Sequence, residues 1–286
     1  MAGDAQAPDA GESSSRAVVG GRNLPVAIAV GVVLAGLFLA ALFWHPIAFT
    51  AVVAVVIIMA FVESHRVLAP VGFPLQVSVL LLTALTITFG TYLLGHLGQL
   101  AGVLVLLVGA VLWQLIEGEG RRAVQTMSTT VFFGLWVGFL GSFAILLVQR
   151  PGVGPLAVLA VIGAAILSDI GGYAFGVTLG KHKLAPRVSP NKTWEGLLGG
   201  LVVAIAAGAI VLPLLDERFT PLIGGMIAGL AAVASVIGDL AESMVKRDLG
   251  VKDLGDVLPG HGGVLDRVDG ILFALPVGYV AAVLVL

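Results

Sequence analysis

From residue 24 to the end of the chain, apolar runs of about twenty residues alternate with short polar joints. The runs cover about 24–44, 46–62, 75–95, 97–116, 129–149, 154–180, 196–215, 220–245 and 268–286. A helix of about 20 residues crosses roughly 30 Å of hydrocarbon, so the pattern predicts an all-α integral membrane protein, a polytopic bundle of about nine transmembrane helices. Residues 1–23, rich in Ala, Gly, Ser and acids with no apolar period, predict a disordered tail. The run behind that tail is too long for the core of a signal peptide and carries no clear cleavage site, so it reads as a retained first helix.

Charge gives the bundle a direction. With nine spans, the tail and the even-numbered joints share one side, and thirteen of the 15 Lys and Arg residues fall there; Arg150 and Arg218 are the exceptions. By the positive-inside rule that side, N-terminus included, is expected to be cytoplasmic. A net charge of -2 does not suggest nucleic acid as a partner. The chain has no cysteine, which excludes disulfides and thiolate metal sites.

The two halves of the chain differ. Residues 24–150, the first five spans, read as a scaffold, with no ionisable residue well inside an apolar run and sparsely charged joints. In residues 151–286 acids, lysines and hydroxyls enter the spans or crowd their ends. An ionisable group at membrane depth costs about 2.5–3.5 kcal/mol or more, so the chemistry is expected in this second half. Its densest stretch, "KRDLGVKDLGDVLPGHGGVLDRVDG", residues 246–270, holds nine charged side chains and one histidine in a chain that is 11% charged.

Four segments carry candidate chemistry. In "GDLAESMVKRD" the residues Asp239, Glu242, Ser243 and Lys246 fall on one helical stripe. That stripe fits either an interhelical salt bridge to a lysine or a cation site. In "LPGHGGVLDRVDG" the glycines, Gly262 and Gly263 among them, let backbone approach a ligand closely. Asp266 and Asp269, three apart, either cap the last span or join Asp239 as oxygen ligands of a hard cation such as Mg²⁺. His261 between glycines is a candidate general acid or phosphate donor. "RVSPNKTWEG" reads as a helix start with Ser189 at the N-cap and Pro190 at the first position. Its amides, with Lys192 and Thr193, would make an anion site, and an ordinary interfacial entry with Trp194 in the aromatic belt reads equally well. In "AILSDIGGYAFG" the ladder Gly172, Gly176, Gly180 predicts helix packing, while Asp169 needs a cation or a lysine and is given a supporting place in the ion site.

No "GxxxxGK[ST]", "HExxH" or "GxSxG" occurs, which leaves P-loop ATPase, zinc protease and serine hydrolase unsupported. The segment "SMVKRDLGVKDLGDVLPGHGGVLDRVD", residues 243–269, resembles the signature of the phosphatidate cytidylyltransferases (CDP-diacylglycerol synthases), and "SDIGGYAFG" and "SPNKTWEGLLGG" resemble that family's other shared segments. Asn191 stands where a lysine is common in the family, and Gly270 where a serine is frequent. The resemblance implies a metal-dependent, homodimeric membrane enzyme making CDP-diacylglycerol and pyrophosphate from CTP and phosphatidic acid, and the compact length and Ala/Gly-rich composition point to a bacterial plasma membrane. It implies Asp239 and Asp266 as the metal-holding acids, with Mg²⁺ as the cofactor, alone or with a second cation. Lys246, Arg247, Lys252 and His261 become phosphate contacts, and Arg267, Gly262 and Gly263 line the substrate. Two other readings compete: a CTP-dependent lipid kinase, and a cation or organic-anion transporter.

Overall fold

A computed structural model describes residues 24–117, 122–255, 257 and 262–286; the expected tail, 1–23, lies outside them. The described residues form nine helices: α1 Leu24–Trp44, α2 Pro46–Leu68, α3 Val77–Leu94, α4 His96–Glu117, α5 Ala123–Val148, α6 Gly154–Leu179, α7 Trp194–Leu215, α8 Pro221–Asp248 and α9 Leu265–Val285. Eight are long and apolar enough to cross a bilayer, and α1 adds an apolar stretch at Ala29–Trp44. The protein is an integral membrane helix bundle, as the hydrophobic pattern predicts. The two strands, β1 Lys183–Ala185 and β2 Ser189–Thr193, form an antiparallel hairpin between α6 and α7.

Several helices run past the edges of their apolar runs. α2 continues to Leu68, α8 to Asp248, and α9 begins at Leu265. Helical hydrogen bonds do not end where hydrophobicity does, and the polar ends find partners of their own. Prolines mark starts at α2, α6 and α8, where the missing N–H is harmless. The Thr220 hydroxyl accepts from Ile223 N at 3.3 Å to cap α8. Within the spans Thr50, Thr86, Thr88 and Thr178 donate to carbonyls four residues back, so these hydroxyls satisfy themselves where no water is available.

α5 contains one π-helical turn at Gly134–Phe139, the wider turn that accommodates an extra residue inside a helix. There Trp136 packs against Phe132, Phe133 and Phe273, tying α5 to α9. Two hydrophobic clusters fill the bundle. One gathers Phe61, Leu80, Phe133, Leu254 and Leu265; the other gathers Leu147, Val158, Phe219, Ala228 and Leu275.

The C-terminal helices meet through small residues rather than large ones. A Cβ on Gly238 of α8 would strike the backbone of Asp269 and Gly270 on α9, and one on Gly270 would strike Ser235. This close approach sets Asp239 and Asp269, the neighbours of the two contact glycines, on facing helices. α6 and α7 meet in the same way, Gly172 and Gly176 against Gly196, as the glycine ladder predicts.

Candidate active site

Two clusters of charge lie at the end of the bundle that carries the β-hairpin. In the first, Lys192 Nζ makes an ion pair with Asp239 Oδ2, both side chains part-buried. Ser243 Oγ donates weakly to Asp239 Oδ1 at 3.4 Å. Asp169 of α6 lies within electrostatic reach of Asp239, Lys192 and Asp269. A cavity of 490 Å³ opens between α6, the hairpin and α8, with Asp169, Asp239, Asn191, Lys192 and Thr193 on its polar wall and Tyr173, Val177 and Leu197 on its apolar one. That size and mix of polar and apolar lining suit a small-molecule ligand.

In the second cluster Lys246 Nζ donates to Glu242 Oε2 and to Asp266 Oδ1, at 3.0 Å each. The Glu242 side chain is 2% exposed and that of Asp266 8%. Asp266 also accepts the N–H of Leu254 on both oxygens, at 3.2 Å. Glu242 lies within reach of Asp269 and Asp266, and Asp269 within reach of Asp239, so Asp269 bridges the two clusters. Both alternatives for the α8 stripe meet here: the lysine salt bridges exist, and they form inside a larger group of acids.

The helix start expected at Ser189 is corrected. Ser189 and Pro190 belong to β2, and α7 begins at Trp194 with Thr193 as its N-cap, the Thr193 Oγ1 accepting from Gly196 N at 3.1 Å. The reason is local. β1 pairs with β2 through Lys183–Thr193 and Ala185–Ser189, and Glu195 reaches back to accept the N–H groups of Lys181 and His182 at 3.1 and 3.2 Å. A strand pairing and a closing carboxylate therefore outweigh the capping signal of Ser-Pro, and Lys192 is presented from a strand.

The remaining candidates divide. Arg247 is exposed and its Nε donates to Val188 O of the hairpin at 3.4 Å. Lys252 is exposed between α8 and α9, Arg267 is exposed in the first turn of α9, and Gly263 is buried against Asp266. Gly262 has φ of 83°, a left-handed turn that suits glycine. His261 lies outside the described residues. Sequence reasoning left out two acids. Glu242 was noted only as part of the stripe. Glu63 was passed over although it is the one acid between residues 24 and 116; it is 1% exposed and accepts backbone N–H groups from the 254–264 segment.

The donor chemistry fits a hard cation. Five carboxylates face two lysines, and the buried Glu242 carboxyl group lies within hydrogen-bond reach of Asp269. Among the described residues no three acidic or histidine side chains converge as a ready-made metal set, and Lys192 and Lys246 pair with Asp239 and Asp266.

Comparison with known proteins agrees with the signature. A model of the cytidylyltransferase family matches residues 25–285. Phosphatidate cytidylyltransferase of Mycobacterium leprae is 39% identical over 267 residues, covering 88% of this chain and 85% of that protein. The enzyme of the same name from Mycobacterium tuberculosis is 39% identical over 264 residues, covering 88% and 80%. That of Pseudomonas aeruginosa is 38% identical over 195 residues, covering 64% and 69%. The chain therefore belongs to the cytidylyltransferase family, as the resemblance of residues 243–269 to the phosphatidate cytidylyltransferases led us to expect.

Proposed function

We propose that this protein is a phosphatidate cytidylyltransferase, converting CTP and phosphatidic acid to CDP-diacylglycerol and diphosphate, with the basic end of the bundle facing the cytoplasm of a bacterial cell and two copies forming the working unit. The observation that carries the reading is the match to relatives of that name along 88% of the chain, joined to a site in which acids and a lysine meet at a cavity with one polar and one apolar wall.

Phosphatidic acid is a phosphate monoester with a second pKa near 6 by analogy with phosphorylated side chains, so its nucleophilic oxygen is largely deprotonated at neutral pH. No strong general base is needed. The phosphatidate oxygen attacks the α-phosphorus of CTP, and the bond from that phosphorus to the bridging oxygen breaks. Diphosphate leaves with the bonding pair. The difficulty is to hold several anions together, so positioning and electrostatics supply most of the acceleration.

Lys192 and Lys246 compensate the carboxylates before substrates arrive and turn toward phosphate oxygens when they do. Arg247 and Lys252 lie toward the open side, suited to the diphosphate end of CTP, and Thr193 with its capped helix start supports the cavity wall. Asp239 and Asp266, with Asp169 and Asp269, are then free to hold Mg²⁺, which would supply Lewis-acid neutralisation of phosphate charge. Tyr173 and Val177 offer the apolar face along which the diacyl tails stay in lipid. The five N-terminal helices hold this machinery in place.

CTP labelled separately on the α- and γ-phosphorus, supplied with phosphatidic acid and Mg²⁺ to the purified protein in lipid–detergent micelles, tests the reading. The α label is expected in lipid and the γ label in diphosphate. The γ label in lipid would make the protein a lipid kinase, and neither label in lipid across a series of cations would return the transporter reading.

A further inference from the structure

The α2 helix belongs to the half of the chain that looks like scaffold, yet it carries a carboxylate whose hydrogen-bond partners among the described residues are in the signature segment. Glu63 is 1% exposed. Its Oε1 accepts from Val257 N at 2.9 Å and its Oε2 from Val264 N at 2.6 Å. Among the described residues it makes no ion pair with a lysine or arginine. A carboxylate in an apolar helix is costly, and amide N–H donors are what hold this one.

The bonds reach the catalytic cluster through a thin layer of backbone. A Cβ on Gly255 would run into the Glu63 carboxyl group, and a Cβ on Gly263 would run into Asp266 Oδ2 and the backbone of Gly255. Two glycines are thus stacked between two carboxylates, Glu63 on one side and Asp266 on the other. Leu254, beside this layer, donates its N–H to both oxygens of Asp266, and Val264, fixed by Glu63, is the residue before α9. Glu63 therefore holds the backbone on both sides of the layer that lies against Asp266, at Val257 just past Leu254 and Gly255 and at Val264 just before α9.

We propose that Glu63 is a positioning residue for the reaction: by accepting the N–H groups of Val257 and Val264 it fixes the backbone layer that orients Asp266 beside Lys246. The inference rests on the cytidylyltransferase reading for its catalytic readout. It makes α2 part of the working site. A displacement of about 1 Å at a reacting group can cost ~100-fold in rate, so a hold of this kind acts on turnover rather than on substrate affinity.

The test compares Glu63→Gln with Gly255→Ala. Glutamine keeps the shape but turns one acceptor into a donor facing an N–H, and alanine pushes on the carboxyl group without removing its charge. Amide hydrogen exchange, thermal unfolding and steady-state kinetics are measured on each in lipid–detergent micelles. Both variants are expected to exchange the amides of residues 254–257 and 262–266 at least tenfold faster, with exchange elsewhere unchanged. kcat is expected to fall at least tenfold, and KM for phosphatidic acid to stay within twofold. Wild-type kcat in both variants would overturn the proposal. So would faster exchange throughout the bundle with a parallel loss of thermal midpoint, which is the behaviour of a purely structural staple. If the wild-type protein transfers no α label from CTP, the functional reading fails separately, and unchanged exchange in the variants would still overturn the hold assigned to Glu63.

Discussion

Both ends of the bundle contain acid–base pairs, and the pairs are built differently. At the end away from the cavity, Asp216 and Arg218 lie two residues apart and close their own turn, with Arg218 Nε on Asp216 Oδ1 at 2.9 Å and Arg218 donating also to Gly152 O at 2.7 Å. Charge there is local and balanced by its neighbour, with the Arg218 side chain exposed. At the cavity end the partners come from different elements: Lys192 from a strand reaches Asp239 on α8, and Lys246 on α8 reaches Asp266 on α9. Among the described residues acids outnumber these lysines five to two. A salt bridge that only holds a fold need not carry such an excess; the proposed function, in which the lysines pass from carboxylate to phosphate and a cation takes their place, would require one.

The sharpest way to break this contrast is to remove the excess. Asp266→Asn or Asp239→Asn, at normal membrane expression, is expected to abolish CTP-dependent turnover, a loss of at least roughly 100-fold on the scale of removing one electrostatic stabiliser of a transition state. Either variant with near-wild-type rates across a Mg²⁺ titration would end the assignment of these acids to a cation. Lys246→Met cuts the other way. It leaves Glu242 and Asp266 facing each other without their cation, and breaking a buried pair from one side costs about 3–5 kcal/mol. Because Lys246 keeps 18% of its exposure, the lower part of that range is expected, read as a fall in thermal midpoint that Glu242→Gln in the same chain should partly restore.

A smaller effect tests how the helices set the acids side by side. Gly270→Ala places a methyl group against Ser235 of α8, and overpacking of this sort costs about 1–3 kcal/mol. Activity should drop with stability here, since Asp239 and Asp269 flank the contact. Adding Ser235→Ala removes the hydroxyl nearest the new methyl and is expected to recover part of both. No recovery would mean that the backbone approach itself, rather than the Ser235 side chain, sets the spacing.

How much of this could be read from the chain depends on the range of the interaction. The spans were legible because apolar length is a local property, and the signature was legible because its residues are close in sequence. The hairpin was not. Ser189 and Pro190 carry a capping signal, and only the pairing of Lys183–Ala185 with Ser189–Thr193 and the backward reach of Glu195 override it. The partner of Asp239 was open for the same reason, since Lys192 is 47 positions away in sequence and on another element. Glu63 and Val264 are 201 residues apart, a contact that no periodicity encodes. Its isolation as the one acid in residues 24–116 was the available signal.

The smallest expected effect lies at the far end and guards the comparison. Asp216→Asn should leave turnover within twofold of wild type, because nothing that acts on phosphate is near it. The pair should still register in stability. Arg218 holds the Asp216 carboxyl down at about 2, below its ordinary 3.8. A depressed carboxyl contributes stability at pH values above its unfolded pKa and loses it as pH falls through the folded one. The difference in thermal midpoint between wild type and Asp216→Asn is therefore expected to be small and constant above pH 5. It should shrink between about pH 4 and pH 2 and vanish below. Because Arg218 is exposed, added salt should shrink the same difference at neutral pH, whereas the loss from Lys246→Met, made by more deeply buried groups, should survive it. A far-end variant that lost turnover, or a Lys246 effect that salt erased, would show that the two ends differ less than their architecture says.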